Sequence, residues 1–301
     1  MLRRLMTWLA VLVMTLGVAQ AEAPLLVDRI NAPQEHADFA FREDAPLLEI
    51  IFPQILNCDA ALVRCGGQTM VIDCCSYKYA PRLIALLEQL GIDEVDCVVN
   101  THPHFDHLEG LGRLTEAVRV KEVRICFPED ENNTMINAMR VCQREGIPVT
   151  HYADGTEWDL GGTTLTAWLK GDEVWGLNDR SAVIRVQFGE RTALFTADIE
   201  KNGQTRMVQA IPPELLDVDV LKYPHHGKEE LVREFREGVS PLFSVITNNS
   251  NDYPGKKSLA RLGMAYAITV PGFVRLRTDG VTWVVDRLPM DQPVVWATPS
   301  P

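Results

Sequence analysis

Residues 97 to 107, CVVNTHPHFDH, run an apolar stretch straight into three histidines and an aspartate within six positions. A chain that ends a buried strand in this way commits that end to polar chemistry, because imidazoles and carboxylates withdrawn from water need partners. In extended backbone alternate side chains share a face, so His102 and His104 point one way. Pro103 between them discourages helix, and Asp106 continues the same direction. His107 enters the following turn and approaches from another angle. The stretch thus offers two imidazoles to one cation, and a carboxylate with an imidazole to a second, all ligand types that zinc accepts.

Four ligands do not complete two sites, so the remainder must come from other strand ends. LFTADIE closes a strong strand with Asp198, and DVLKYPHHGK closes another with His225 and His226. One carboxylate bridging two cations would hold them about 3.5 to 4 Å apart, the spacing of two-metal hydrolysis. Asp198 alone would read as a turn residue capping a helix; beside the histidine cluster it reads as a ligand, joined by at least one of His225 and His226. His36, His151 and the cysteines read as structural or surface residues.

The surrounding pattern alternates strands and helices. PLLEIIFPQI and DAALVRCGGQTMVIDCC predict strands, with the hairpin turn at Gly66-Gly67. APRLIALLEQLG predicts a helix opened by Pro81 and closed by Gly91, and EVDCVVN the next buried strand. Strand, helix, strand is the unit of a helix-covered sheet. From residue 154 strands joined by tight turns take over, with hairpins at Gly161-Gly162 and Gly189-Glu190, before helices and strands alternate again up to the hairpin GFVRLRTDGVTWVV. No linker divides these elements, so one α/β domain is expected over 46–288, after a polar extension (22–45) and before a tail (289–301).

The first 21 residues carry two arginines, a largely apolar stretch of 15 residues from Leu5 to Ala19, and the small-x-small ending Ala19-Gln20-Ala21. That is the layout of a secretory signal cleaved after Ala21, which predicts a secreted or periplasmic protein. The stretch falls short of the ~20 residues that span a bilayer, and no other segment reaches that length. Seven cysteines lie between Cys58 and Cys142 without C-x-x-C spacing. In an exported chain most of them are expected to pair. Loss of Arg3 and Arg4 with the signal takes the formal charge from -12 to -14. A mature chain so acidic repels polyanions at long range, which argues against long nucleic acid as a partner.

DAALVRCGGQTMVIDCC, THPHFDHLEGL, NDRSAVIRVQFGERTALFTADIE, DVLKYPHHGK and GFVRLRTDG, in this order, resemble the metallo-β-lactamase superfamily. Within it they resemble the soluble domain of ComEC-type competence proteins and their secreted relatives. The resemblance implies an α/β fold of four layers, an αββα sandwich with metals at one edge of the two sheets. It implies that His102, His104 and Asp198 hold a first ion, and that Asp106, His107, Asp198 and a histidine of the 225/226 pair, His226 by preference, hold a second. Most of the superfamily has a further histidine before the bridging aspartate; here Asn178 and Ser181 occupy that region, as in the competence-like branch, which implies a more weakly held first ion. Three positions depart from the branch: Cys74 or Cys75 replaces a glycine after the ID strand, Lys228 replaces a serine after His-His-Gly, and NNSNDYPGK lacks a histidine.

The chemistry so implied is hydrolysis by a metal-bound hydroxide, since zinc lowers the pKa of bound water to roughly 7. Two divalent ions, zinc first, are the expected cofactors. Asp106 would orient the nucleophile, Lys222 or Lys228 would neutralise an anionic group, and Asn178 would donate to a developing oxyanion. A small or surface-attached phosphodiester or phosphoester is the first substrate class. A lactone or β-lactam is the second reading, and a non-catalytic, metal-stabilised surface-binding module the third.

Overall fold

Along Leu48–Phe52 the side chains sort by alternation: Leu48, Ile50 and Phe52 enter the layer between two sheets, and Ile51 enters a layer beneath helices. The computed structural model describes residues 23–249 and 253–289, so the expected signal segment and nearly all of the tail lie outside the described residues. A nine-stranded sheet gathers Leu26–Asp28, Leu48–Phe52, Ala60–Cys65, Gln68–Cys74, Cys97–Val99, Val123–Ile125 and Val149–His151 together with Phe273–Thr278 and Trp283–Leu288, and a seven-stranded sheet runs from Glu157–Leu160 to Ala265–Ile268. Between them lies one apolar layer with Met70, Ile72 and Val99 on one side and Ile184, Val186 and Val245 on the other. Phe52 stacks on Phe195 across it at 5.7 Å between ring centroids.

The opposite faces are covered by helices. Leu62, Val71 and Val98 pack beneath Ala80–Gln89, Leu111–Ala117 and Asn133–Glu145. Leu194, Leu221 and Ile246 pack beneath Lys201–Ala210, Arg233–Val239 and Pro254–Arg261. Helix, sheet, sheet, helix is the αββα sandwich. Burying both faces of each sheet explains why the central strands read as nearly continuous apolar runs.

Three local expectations are corrected. The 22–45 extension is not merely appended, because Leu26–Asp28 pairs in parallel with Trp283–Val285 as the edge of the larger sheet. EVDCVVN is two strands: Asp96 turns its side chain to the Thr69 backbone N–H (2.8 Å), so Glu94–Val95 pairs with Arg119–Val120 while Cys97–Val99 joins the main sheet. The alternation of helices and strands expected before the final hairpin gains a further strand, Ala265–Ile268. Among the described residues, no helix is long and apolar enough to cross a membrane.

Several strands run parallel near the middle of each sheet, so their carboxyl ends emerge on one edge. Gln68–Cys74 and Cys97–Val99 deliver Asp73 and the histidine motif, while Arg191–Phe195, Val220–Lys222 and Phe243–Ile246 deliver Asp198, His225-His226 and Thr247. Polar groups collect where strands end because the backbone there leaves the apolar layers.

Candidate metal centre

The motif loop is tied down before it reaches any ligand. Thr101 donates its backbone N–H (2.8 Å) and its hydroxyl (2.6 Å) to Asp73, and Asn100 Nδ2 donates to the His102 carbonyl (2.8 Å). The Ala182 N–H, from the other sheet, donates to the Thr101 carbonyl at 2.9 Å. Phe105–Leu108 then makes one helical turn that carries Asp106 and His107 inward. His102 and His107 are fully buried with ring centroids 3.9 Å apart, and half-buried His104 lies 4.8 Å from His102 by the same measure.

Asp198 is the point of convergence. Its Oδ1 is 3.2 Å from His107 Nε2, and its Oδ2 is 3.4 Å from His226 Nε2, 3.7 Å from His225 Nε2 and 3.9 Å from His102 Nε2. His226 Nε2 also lies 3.4 Å from Asp106 Oδ2. Bonds of 2.0 to 2.2 Å in a tetrahedral site put ligand atoms about 3.3 to 3.6 Å apart, close to these separations. Asp106, His107, Asp198 and His226 form one such group, with all ligand atoms within 4.8 Å. His102 Nε2, His107 Nε2, His226 Nε2 and Asp198 Oδ1 are buried with no hydrogen-bond partner. Ligand atoms crowded together in a dry interior are costly unless a proton or a cation is shared among them. The donor set therefore fits divalent ions.

Two buried carboxylates that the sequence reading passed over orient these ligands. His107 Nδ1 donates to Asp73 (2.8 Å), and His226 Nδ1 donates to Asp59 (2.9 Å), so both imidazoles keep Nε2 for the centre. Asp59 is held in turn by Lys222 Nζ at 2.5 Å and by the Thr247 hydroxyl at 2.6 Å. The signal that singled out Asp198, an acid beside a buried strand, is present in both NCDAALV and MVIDCC.

The backbone is strained where it serves this centre. Asp73, Cys75, Ala197, His225 and His226 all have left-handed φ, between 44° and 59°. Such conformations cost on the order of 1–3 kcal/mol each outside glycine and persist only where the surroundings enforce them. Gly110 is enforced differently, since a Cβ there would stand 2.0 Å from the Cys74 carbonyl oxygen.

The family model of the metallo-beta-lactamase superfamily matches residues 54–240, a span that contains every candidate ligand and both orienting carboxylates. The chain belongs to the metallo-beta-lactamase superfamily. ComE operon protein 3 of Bacillus subtilis (strain 168) is 27% identical over 209 residues, 65% of this chain. The match takes up only 25% of that protein's own length. The metallo-beta-lactamase fold protein YhfI from Bacillus subtilis shares the fold with a TM-score of 0.51 at 12% identity, over 73% of this chain and 96% of that one.

Charge in this metallo-beta-lactamase site is set by burial against close partners. Burial disfavours the charged form of His107 and His226, but the Asp198 carboxylate, with Asp73 and Asp59 respectively, outweighs it and holds both well above the ordinary histidine value. Each would therefore release an Nε2 proton on taking up a cation. Burial and the neighbouring His107 hold His102 well below that value, which leaves it a neutral donor. Burial also opposes ionisation of Asp106, yet the His226 imidazole 3.4 Å away, together with His107, brings it down to about 2.

The other expected site residues lie further out. Lys222 is 3% exposed, and its ammonium is taken up by Asp59 and by the Tyr223 carbonyl, so it supports His226 from below instead of facing the mouth. Asn178 Nδ2 donates to Glu200 Oε1 (2.8 Å). Ser181 is buried, and its hydroxyl has no hydrogen-bond partner. Lys228 donates its backbone N–H to the His225 carbonyl at 2.9 Å, and its charge adds to burial in disfavouring protonation of His225. The expected disulfides are not formed: all seven cysteines are free thiols. They pack as small apolar side chains within or against the larger sheet's two apolar layers, Cys74 and Cys75 beneath the helices.

Proposed function

We propose that the chain is an exported hydrolase with two divalent cations, zinc first, acting on a small or surface-attached phosphoester, with a phosphodiester preferred. The observation that carries this is Asp198, a buried carboxylate with His107 on one oxygen and His226, His225 and His102 on the other. A carboxylate so flanked suits a bridge between two cations. His102 and His104 would hold one cation with it, and Asp106, His107 and His226 the other. Such a pair, when bound, would supply Lewis acidity and lower the pKa of water to roughly 7.

The chain's own groups do the rest. Asp106, lowered to about 2, stays an acceptor at neutral pH and can orient the proton of an attacking water. Asp73 and Asp59 fix the imidazoles, so little reorganisation accompanies the charge change. Lys228, whose backbone N–H donates to the His225 carbonyl at 2.9 Å, would add positive charge on the His225 side of the centre for an anionic substrate. The formal charge of -12 favours a small or tethered substrate over long nucleic acid. The similarity to part of ComE operon protein 3 and the leader-like first 21 residues support an exported, competence-like setting.

The test is metal content followed by turnover of bis-nitrophenyl phosphate, nitrocefin and a simple lactone. The reading requires two equivalents of metal and phosphodiester turnover that Asp106→Ala abolishes. Preference for nitrocefin or the lactone would move the substrate class. Bound metal without turnover of any of the three would turn the protein into a binding module.

A further inference from the structure

The superfamily's usual third histidine for the first ion is missing here, with Asn178 and Ser181 in its region, yet the structure offers a replacement from another strand. We propose that both members of the His225-His226 pair are ligands: His226 to the second ion, and His225 to the first, with Asn178 and Glu200 as the residues that position it. This rests on the metal-centre reading above and extends its ligand set.

The backbone gives the first argument. Neighbouring residues in extended chain point to opposite sides, so two adjacent histidines ordinarily cannot share one site. Here φ is 48° at His225, 53° at His226 and 80° at Gly227, a tight left-handed turn that brings both imidazoles to the same carboxylate. Their Nε2 atoms lie 3.7 and 3.4 Å from Asp198 Oδ2. The turn is anchored from Asp198's own segment, because the His225 N–H donates to the carbonyl of Ala197 at 2.9 Å. Two consecutive non-glycine residues in this region carry a cost that a single ligand would not require.

The far side of the ring gives the second. A ligating histidine commonly has a carboxylate or carbonyl at its other nitrogen. His225 Nδ1 lies 3.3 Å from Glu200 Oε1, and Glu229 completes the group within 4.8 Å. Glu200 is in turn held by Asn178 Nδ2 at 2.8 Å. The order Asn178, Glu200, His225, Asp198 parallels at the first ion what Lys222, Asp59, His226, Asp198 build at the second, with a 3.3 Å approach of Glu200 to His225 in place of the hydrogen bond that His226 makes to Asp59. A residue from the region that lacks the family's histidine thus helps to hold its substitute.

The test is calorimetric titration of chelator-stripped protein with zinc and with manganese, using cobalt absorption to report coordination at each step. Wild type should show two binding events. His225→Ala should weaken one of them by more than about tenfold and Glu200→Gln the same one by about tenfold, whereas His226→Ala should weaken the other. Thermal melting of the stripped variants checks their folding, and Glu200→Gln decides the matter if His225→Ala does not fold. The assignment is overturned if the His225 and Glu200 variants keep both affinities within about twofold, if the His225 and His226 variants weaken the same event, or if His225→Ala removes a third, separate event. Wild type that takes up no cation sinks the metal-centre reading itself.

Discussion

Lys222→Met isolates one electrostatic contact with little change of shape. Lys222 is 3% exposed and Asp59 5%, and their 2.5 Å contact is the cationic support of a carboxylate that also holds His226 and Thr247. Methionine keeps most of the buried stem, so packing is nearly conserved and the charge is what is lost. Removing one partner of a buried pair costs about 3–5 kcal/mol where the other is left uncompensated, and less than that here, because the His226 imidazole and the Thr247 hydroxyl still face Asp59. For a chain of this size each kcal/mol corresponds to about 2–4 °C in Tm. Urea and thermal unfolding of chelated apoprotein at pH 7 would read the loss without interference from metal binding. Burial opposes ionisation of Asp59, but Lys222 and His226 outweigh it and depress its folded-state pKa. The stabilisation is therefore complete above the unfolded value near 4, and it is lost only as pH falls below that value through the depressed one. The gap between wild type and variant should accordingly be full at neutral pH and close in acid. The double variant Lys222→Met, Asp59→Asn should recover part of the loss, because no charge is then stranded. A single variant within 1 kcal/mol of wild type, or a double variant worse than the sum of the singles, would refute the reasoning.

Asp73→Asn should lower metal affinity by about 10- to 100-fold through His107, with the loss confined to one of two binding events in a competition titration against a chelator. The thiols test the interior: burial pushes Cys58 up to about 11, Cys97 to about 12 and Cys126 to about 12, so a thiol reagent at pH 8 should label folded protein slowly and all seven cysteines promptly in guanidinium. Intact mass under denaturing, non-reducing conditions that shows fewer than seven reactive thiols would contradict their unpaired state.

The layer order was legible because it depends on short-range alternation. Once Ile50 and Ile51 must face different apolar layers, a strand buried on both sides follows, and the helix signals at Pro81 and Gly91 place the covering layer. The candidate ligands carried by the motif were visible for the same reason, since His102, His104, Asp106 and His107 are neighbours in sequence. Asp59, Asp73 and Glu200 were not, because an acid near a strand end looks alike whether it orients a histidine or caps a turn. The role of Lys222 turned on a partner 163 positions away. Even Leu26–Asp28, a short stretch in a polar segment, was placed by an edge that Trp283–Val285 left open. What the sequence alone determined was therefore the chemistry on offer and the pattern of burial, both written in local spacing. Which groups meet, and which histidine nitrogen faces the centre, was decided only when two sheets brought distant strand ends to one edge, because distances of 3 to 4 Å between remote residues are a property of packing and not of order along the chain.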